Sequence, residues 1–214
     1  MKDKSKELTE STIQKALDFA YDKAVNGVKG LDSAEELAEN YLDKDGSLED
    51  KVNSLIRWQN TKAGTAGFVT GLGGILTMPV SLPANITSVL YLQIRMISAI
   101  AYMGGYDLKD DKVKTFVYAC LVGSSANEII KKAGIEIGKK LATNTIKNIS
   151  GKVITQINQK VGFRLLTKFA EKGVVNLGKA VPFLGGIIGG FIDTASTNLI
   201  GNTARNMFVG NENI

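Results

Sequence analysis

Apolar and polar positions in the first sixty residues alternate with a helical period. Thr9-Glu-Ser-Thr12 precedes an apolar stripe of Ile13, Ala16, Leu17, Ala20 and Ala24 that stops near Gly27 and Gly30. Steps of three and four residues mark one buried helix face. Ser33-Ala-Glu-Glu36 has the form of a capping box, in which the serine hydroxyl accepts from the third helical amide and the glutamate reaches back. Asp45-Gly46 turns the chain, and Ser47-Leu-Glu-Asp50 opens a third helix whose inner face carries Val52, Leu55 and Ile56.

Between Ala63 and Ile94 the pattern changes to Gly64-Thr-Ala-Gly67-Phe-Val-Thr-Gly71-Leu-Gly-Gly74, followed by Met78-Pro79, with no charge at all. Glycine inside a helix costs about 1 kcal/mol relative to alanine, so this density calls for a compensating contact. Gly67 and Gly71, Gly134 and Gly138, Gly185 and Gly189, and Gly186 and Gly190 each stand four apart. That spacing lets a second backbone approach, and the expectation is helices touching at these glycines. Ser81-Leu-Pro83 reads as a helix start. The helix it opens runs to Tyr102, with Ile86, Leu90, Ile94, Ile97 and Ala101 on one face and Thr87, Tyr91, Arg95, Ser98 and Tyr102 on another. Apolar material all round with one polar stripe predicts a central core helix, and Asn85, Gln93 and Arg95 argue against a membrane span, with conditional insertion of residues 63–94 as a hairpin as the rival reading.

Gly104-Gly105 closes that helix, Asp110 or Asp111 caps a short one containing Cys120, and Gly123-Ser-Ser125 punctuates. Helices are expected over 126–149 and 152–172, the second with Val153, Ile157, Val161, Leu165 and Phe169 at every fourth position. Pro182 and Gly185-Gly-Ile-Ile-Gly-Gly190 repeat the central chemistry before a last helix reaching towards Phe208. No run alternates as a half-buried strand does. The predicted fold is all-α, a single compact multi-helix domain with glycine-rich, proline-broken segments around a central apolar helix. Residues 1–46 are expected as amphipathic helices packed on a main domain of 47–209, with 210–214 as a tail.

Several segments, taken in order, carry a family likeness: Gly67-Phe-Val-Thr-Gly-Leu-Gly-Gly74, Met78-Pro-Val-Ser-Leu-Pro-Ala84, Leu92-Gln-Ile-Arg95, Ile100-Ala-Tyr-Met-Gly-Gly-Tyr-Asp107, Ala119-Cys-Leu-Val-Gly123, Lys179-Ala-Val-Pro-Phe-Leu-Gly-Gly186 and Gly189-Gly-Phe-Ile-Asp193. Together they resemble the bacterial EcsC family, from Ser47 to Phe208. The resemblance implies a fold class and no particular reaction. Where the family pattern reads Pro-Ala-Asp this chain has Pro83-Ala84-Asn85, so a carboxylate at that place is missing.

With 214 residues, 44% of them hydrophobic, the chain can bury a sizeable core without disulfides. It has no histidine and one cysteine, which removes the usual general base near neutral pH and excludes an ordinary zinc site. Cys120 sits among apolar neighbours and is expected in the core; Trp58, the single tryptophan, suits the core better than a membrane anchor. Met1-Lys-Asp-Lys-Ser-Lys-Glu7 has neither signal-peptide nor transit-peptide character, so a cytoplasmic location is expected. No cofactor is called for. Gly173-Val-Val-Asn-Leu-Gly178-Lys179-Ala180 has phosphate-loop spacing but ends in alanine where magnesium needs a hydroxyl, and Gly71-Leu-Gly73-Gly74 lacks the third glycine of a dinucleotide fingerprint.

The net charge of +5 is unevenly spread. Residues 1–62 hold 10 basic and 13 acidic side chains, whereas 128–179 hold 11 basic and 3 acidic. Lys131, Lys132, Lys139, Lys140, Lys147, Lys152, Lys160, Arg164, Lys168 and Lys172 could merge into one positive surface. The first expectation for it is a solvated face partly paired with the acidic N-terminal helices; next comes an anionic membrane, which attracts such a surface by about 1 kcal/mol per basic residue. Nucleic acid is the weaker match, since lysine dominates and the interleaved arginines and aromatics that read bases are missing. Arg95 is the single charge between Lys62 and Asp107, and Asp193 the single one between Lys179 and Arg205. Each needs a partner or water, and they are candidates to pair with each other. With Asn85 and Gln93 they form a candidate anchor for a lipid-like ligand.

The expected role is therefore a non-enzymatic module, peripheral at the inner membrane face or holding an apolar ligand. An enzyme using Arg95 and Asp193 in a buried pocket, and nucleic-acid binding through the lysine-rich helices, are the alternatives.

Overall fold

The caps written in the sequence set where the helices begin. The computed structural model describes residues 9–63, 84–138, 140–171 and 194–210. These form α1 (Glu10–Asn26), α2 (Ala34–Leu42), α3 (Leu48–Ala63), α4 (Ala84–Met103), α5 (Asp111–Cys120), a 3-10 turn (Gly123–Ser125), α6 (Ala126–Lys132), α7 (Thr143–Lys147), α8 (Gly151–Glu171) and α9 (Thr194–Phe208). No strand occurs among the described residues, and the fold is one all-α domain. The glycine pairs at 67/71, 185/189 and 186/190, the three prolines and the run from 173 to 180 lie outside the described residues.

Thr9 Oγ1 accepts from the Thr12 amide at 3.1 Å, and Asp110 Oδ1 accepts from the Lys112 amide at 2.8 Å. Ser33 and Glu36 complete the reciprocal capping box, at 3.2 Å to the serine hydroxyl and 2.7 Å to the glutamate. Ser47 and Asp50 repeat it with the shorter acid, at 3.1 and 3.2 Å. Each cap contributes about 0.5–2 kcal/mol by satisfying amides that the first turn leaves open.

Helix α4 is the centre. Every side chain from Thr87 to Ala101 is buried. Helices α1, α2, α3, α5 and α9 pack around it. They contribute Ile13, Leu17 and Ala24 from α1, Leu37 from α2, Leu55 and Ile56 from α3, and Ile200 and Ala204 from α9. Burying one such large aliphatic side chain is worth roughly 1.5–3 kcal/mol. Cys120 lies in this core as expected, its Sγ 3.6 Å from Met207 Sδ, and burial pushes its thiol pKa up. Trp58 departs from expectation, with 38% of its surface exposed.

The helix expected over 126–149 is broken. Gly134 stands at φ +82, where its amide donates to Lys131 O at 2.9 Å and the Ile135 amide donates to Ile130 O at 3.2 Å. This pair of bonds closes α6 as a Schellman motif, a conformation that favours glycine. Gly134 is thus a terminator and not half of a close-approach pair: a Cβ added to it or to Gly138 would meet nothing within 4 Å. Close approach does occur, at other glycines. A Cβ on Gly201 of α9 would lie 2.8 Å from Ile56 of α3, and one on Gly104, just past α4, would lie 2.5 Å from the carbonyl oxygen of Phe208.

Tyr21 of α1 and Tyr118 of α5 meet edge to face at 5.8 Å. The Tyr21 hydroxyl donates to Leu108 O at 2.7 Å, and that of Tyr118 donates to Asp18 Oδ1 at 2.9 Å. Burial, helped by the neighbouring Asp107 and Asp111 for Tyr21 and by Asp18 for Tyr118, raises both phenols well above the ordinary value of 10.

Two stability predictions follow from these contacts. Gly104→Ala must displace the Phe208 carbonyl and is expected to lower stability by about 1–3 kcal/mol. Gly162→Ala, inside α8 where a Cβ meets nothing within 4 Å, is expected to raise it by up to about 1 kcal/mol. Urea midpoints of the two variants should move in opposite directions. The raised phenols give a pH dependence: the unfolded chain releases these protons near pH 10 while the folded one keeps them. Stability is whole below that pH and falls above it, by up to about 1.4 kcal/mol per group per pH unit. Denaturation followed from pH 8 to 11 should show this fall, and Tyr118→Phe should make it shallower.

Candidate functional site

The polar stripe of α4 faces the acid-rich side of α2. Arg95, 4% exposed, sets its Nη2 3.7 Å from Asp32 Oδ2, just before α2. Further along, Tyr102 donates to Glu35 Oε1 at 3.0 Å. Hydrogen bonds from Ser33, and then the charge of Arg95, hold the Glu36 carboxyl below its ordinary pKa. Tyr91 Oη, Arg95 Nε and Ser98 Oγ along the same stripe are buried without a hydrogen-bond partner. A guanidinium taken from water needs its charge answered, and Asp32 answers it.

That partner was not named from the sequence, though the acid run Asp32, Glu35, Glu36, Glu39 was its signal. Asp193 and Lys139 lie outside the described residues, as does the side chain of Asn85. Gln93 is buried, but a two-residue step turns about 200° around a helix, so it leaves α4 on a different side from Arg95. The described residues of the expected anchor do not converge.

The basic residues are spread over α6, α7 and α8. Lys131, Lys132, Lys140 and Lys147 are exposed, with Lys132 Nζ 2.6 Å from Glu128 Oε1. On α8, Lys160, Arg164 and Lys168 form one row at four-residue spacing; Lys168 is half-buried, and Arg164 Nη2 donates to Ser125 Oγ at 3.3 Å. A groove of about 540 Å³ runs between α6 and α8, lined by Ile129, Lys132, Lys160, Phe163 and Arg164. Phe163 is 59% exposed at its edge. Sequence reasoning found Arg164 and missed Phe163. The signal was available: the inner stripe Ile157, Val161, Leu165 leaves position 163 facing outward.

A second cleft, of about 530 Å³, opens between α1, α5 and α8. Asp18 Oδ1 on its wall accepts from Lys114 Nζ at 2.7 Å and from the Tyr118 hydroxyl. Asn158 of α8 lines the same cleft, its Oδ1 buried with no partner. None of these residues stood out in the sequence, because they come together only when three helices far apart along the chain do. Among the described residues no group of histidine, cysteine, aspartate and glutamate side chains could hold a metal ion.

Among the described residues no helix is long and apolar enough to cross a membrane. The chain is similar to the uncharacterized protein YdbA of Bacillus subtilis (strain 168), 29% identical over 150 residues, which cover 69% of this chain and 52% of the relative. It thus spans about half the length of that relative. No solved structure matches it. The model of the EcsC protein family matches residues 1–209, which takes in the two N-terminal helices that the motif likeness left out as well as the central and closing segments. On that match, the chain belongs to the EcsC protein family.

Proposed function

We propose that this protein is a non-enzymatic module that docks peripherally on an anionic membrane surface through the face formed by α6 and α8. The carrying observation is Phe163, 59% exposed, on a groove that Lys160 and Arg164 line together with Glu10 and the Lys132–Glu128 ion pair. A large aromatic left in water gains roughly 1.5–3 kcal/mol when buried. Each basic residue brought to an anionic surface adds about 1 kcal/mol. Stable peripheral attachment takes two such signals together, an apolar insertion and a basic patch, and both are present here.

The cost of the row supports the same reading. Lys160 and Arg164 repel each other along α8, and like charges four residues apart weaken a helix by a few tenths of a kcal/mol. An anionic surface offsets that repulsion. Nucleic acid would supply phosphates too, but it leaves Phe163 without a role unless bases stack on it, and among the described residues no second aromatic of a stacking platform lines this groove.

Flotation with phosphatidylglycerol-containing vesicles, against pure phosphatidylcholine, tests the proposal. The expected outcome is binding to the anionic vesicles alone, weakening as salt rises. Phe163→Ser should weaken it about tenfold with no change in charge. The double variant Lys160→Glu, Arg164→Glu should abolish it. Absence of binding at low salt would overturn the reading.

A further inference from the structure

We propose that the outer end of α3, residues 57–63, is a latch that releases from α9 while the rest of the helical domain stays folded. The two helices run antiparallel, and their cross-contacts give the register. Arg205 Nη1 donates to Asn53 Oδ1 at 2.5 Å and lies 3.7 Å from Glu49 Oε1. Gly201 faces Ile56, and Asn60 Nδ2 donates to Asn198 Oδ1. Positions rise along α3 as they fall along α9.

The buried stripe of α3 changes character along this seam. Val52, Leu55 and Ile56 make its inner half, and at the next turn the same stripe continues as Gln59 and Asn60, 5% and 9% exposed. Among the described side chains past Ile56, these two amides are all that α3 buries. Gln59 Nε2 and Asn60 Oδ1 have no hydrogen-bond partner. One turn before Gly201 on the same side of α9, Thr197 Oγ1 is buried without one as well. An unpaired buried polar atom costs about 1–3 kcal/mol, and water removes that cost when the seam opens.

The inner half has the opposite balance. Each of its aliphatic side chains loses roughly 1.5–3 kcal/mol on exposure. Arg205 Nε is unpaired there, but the same guanidinium is held through Nη1 by Asn53 and by the charge of Glu49. Release stops at Ile56, which is seated on the bare backbone of Gly201: a Cβ at that glycine would lie 2.8 Å from it. The released state therefore lies well below the free energy of global unfolding.

Release needs no membrane, so its test is separate from that of the α6–α8 face. Native-state hydrogen exchange of the full chain at low urea is the measurement. The amides of 57–63 are expected to exchange at least about tenfold faster than those of α4, through an opening that urea barely promotes. Gln59→Leu and Thr197→Val each remove an unpaired group while keeping the side-chain size, and each should slow exchange in 57–63 by about fivefold or more. The second variant separates a latch from simple fraying of a helix end, because Thr197 belongs to the other helix. Exchange in 57–63 no faster than in α4, or a rate left unchanged or raised by either variant, would overturn the inference.

Discussion

Helix α4 has no side left for water, and the arrangement of the other helices follows from that. A helix buried from Thr87 to Ala101 must be enclosed on every side, and α1, α2, α3, α5 and α9 enclose it. The enclosure is not uniform. Where α4 is apolar its neighbours bring aliphatic residues; where it carries Arg95 and Tyr102 it meets the one neighbouring helix edge with Asp32 and Glu35. Electrostatics therefore chooses which helix covers which side, while apolar burial supplies most of the stabilisation. The turn after α4 fixes the far end, because Gly104 lies under the last carbonyl of α9 with room for a hydrogen and nothing larger.

Local features were the legible ones. Caps at Thr9, Ser33, Ser47 and Asp110, the central place of α4 and the inner stripe of α8 all follow from spacing and side-chain chemistry within a few residues. The glycines were harder to read because one spacing serves two purposes. Gly134 and Gly138 have the separation of a close-approach pair, yet a left-handed φ at Gly134 ends the helix between them, and φ is not written in a spacing pattern. Among the described residues, the glycines whose added Cβ would press on a neighbour, Gly104, Gly123 and Gly201, lack a glycine partner four residues away and are revealed only by what lies opposite them.

Functional groups were less legible for a related reason. Arg95 announced itself by its isolation, but its partner is 63 positions earlier in the chain, and no local rule selects Asp32 over the other acids nearby. Asp18, Lys114 and Asn158 each read as an ordinary solvated residue until three helices bring them to one cleft. Helix α8 is the shared element: Gln159 borders both that cleft and the groove beside α6, as Glu10 of α1 does. The two hollows adjoin and share these two residues, while Asp111 lines the first alone and Lys160 and Arg164 the second.

Cys120 has a consequence of a different sort. It is the chain's lone thiol, wholly enclosed where α5 meets α9, with Met207 against its sulfur. An alkylating reagent cannot reach it until those helices part, and no second sulfhydryl competes for the reagent. The pace at which the protein takes up such a label is therefore a clock for how often its interior comes apart, started without any engineering of the chain.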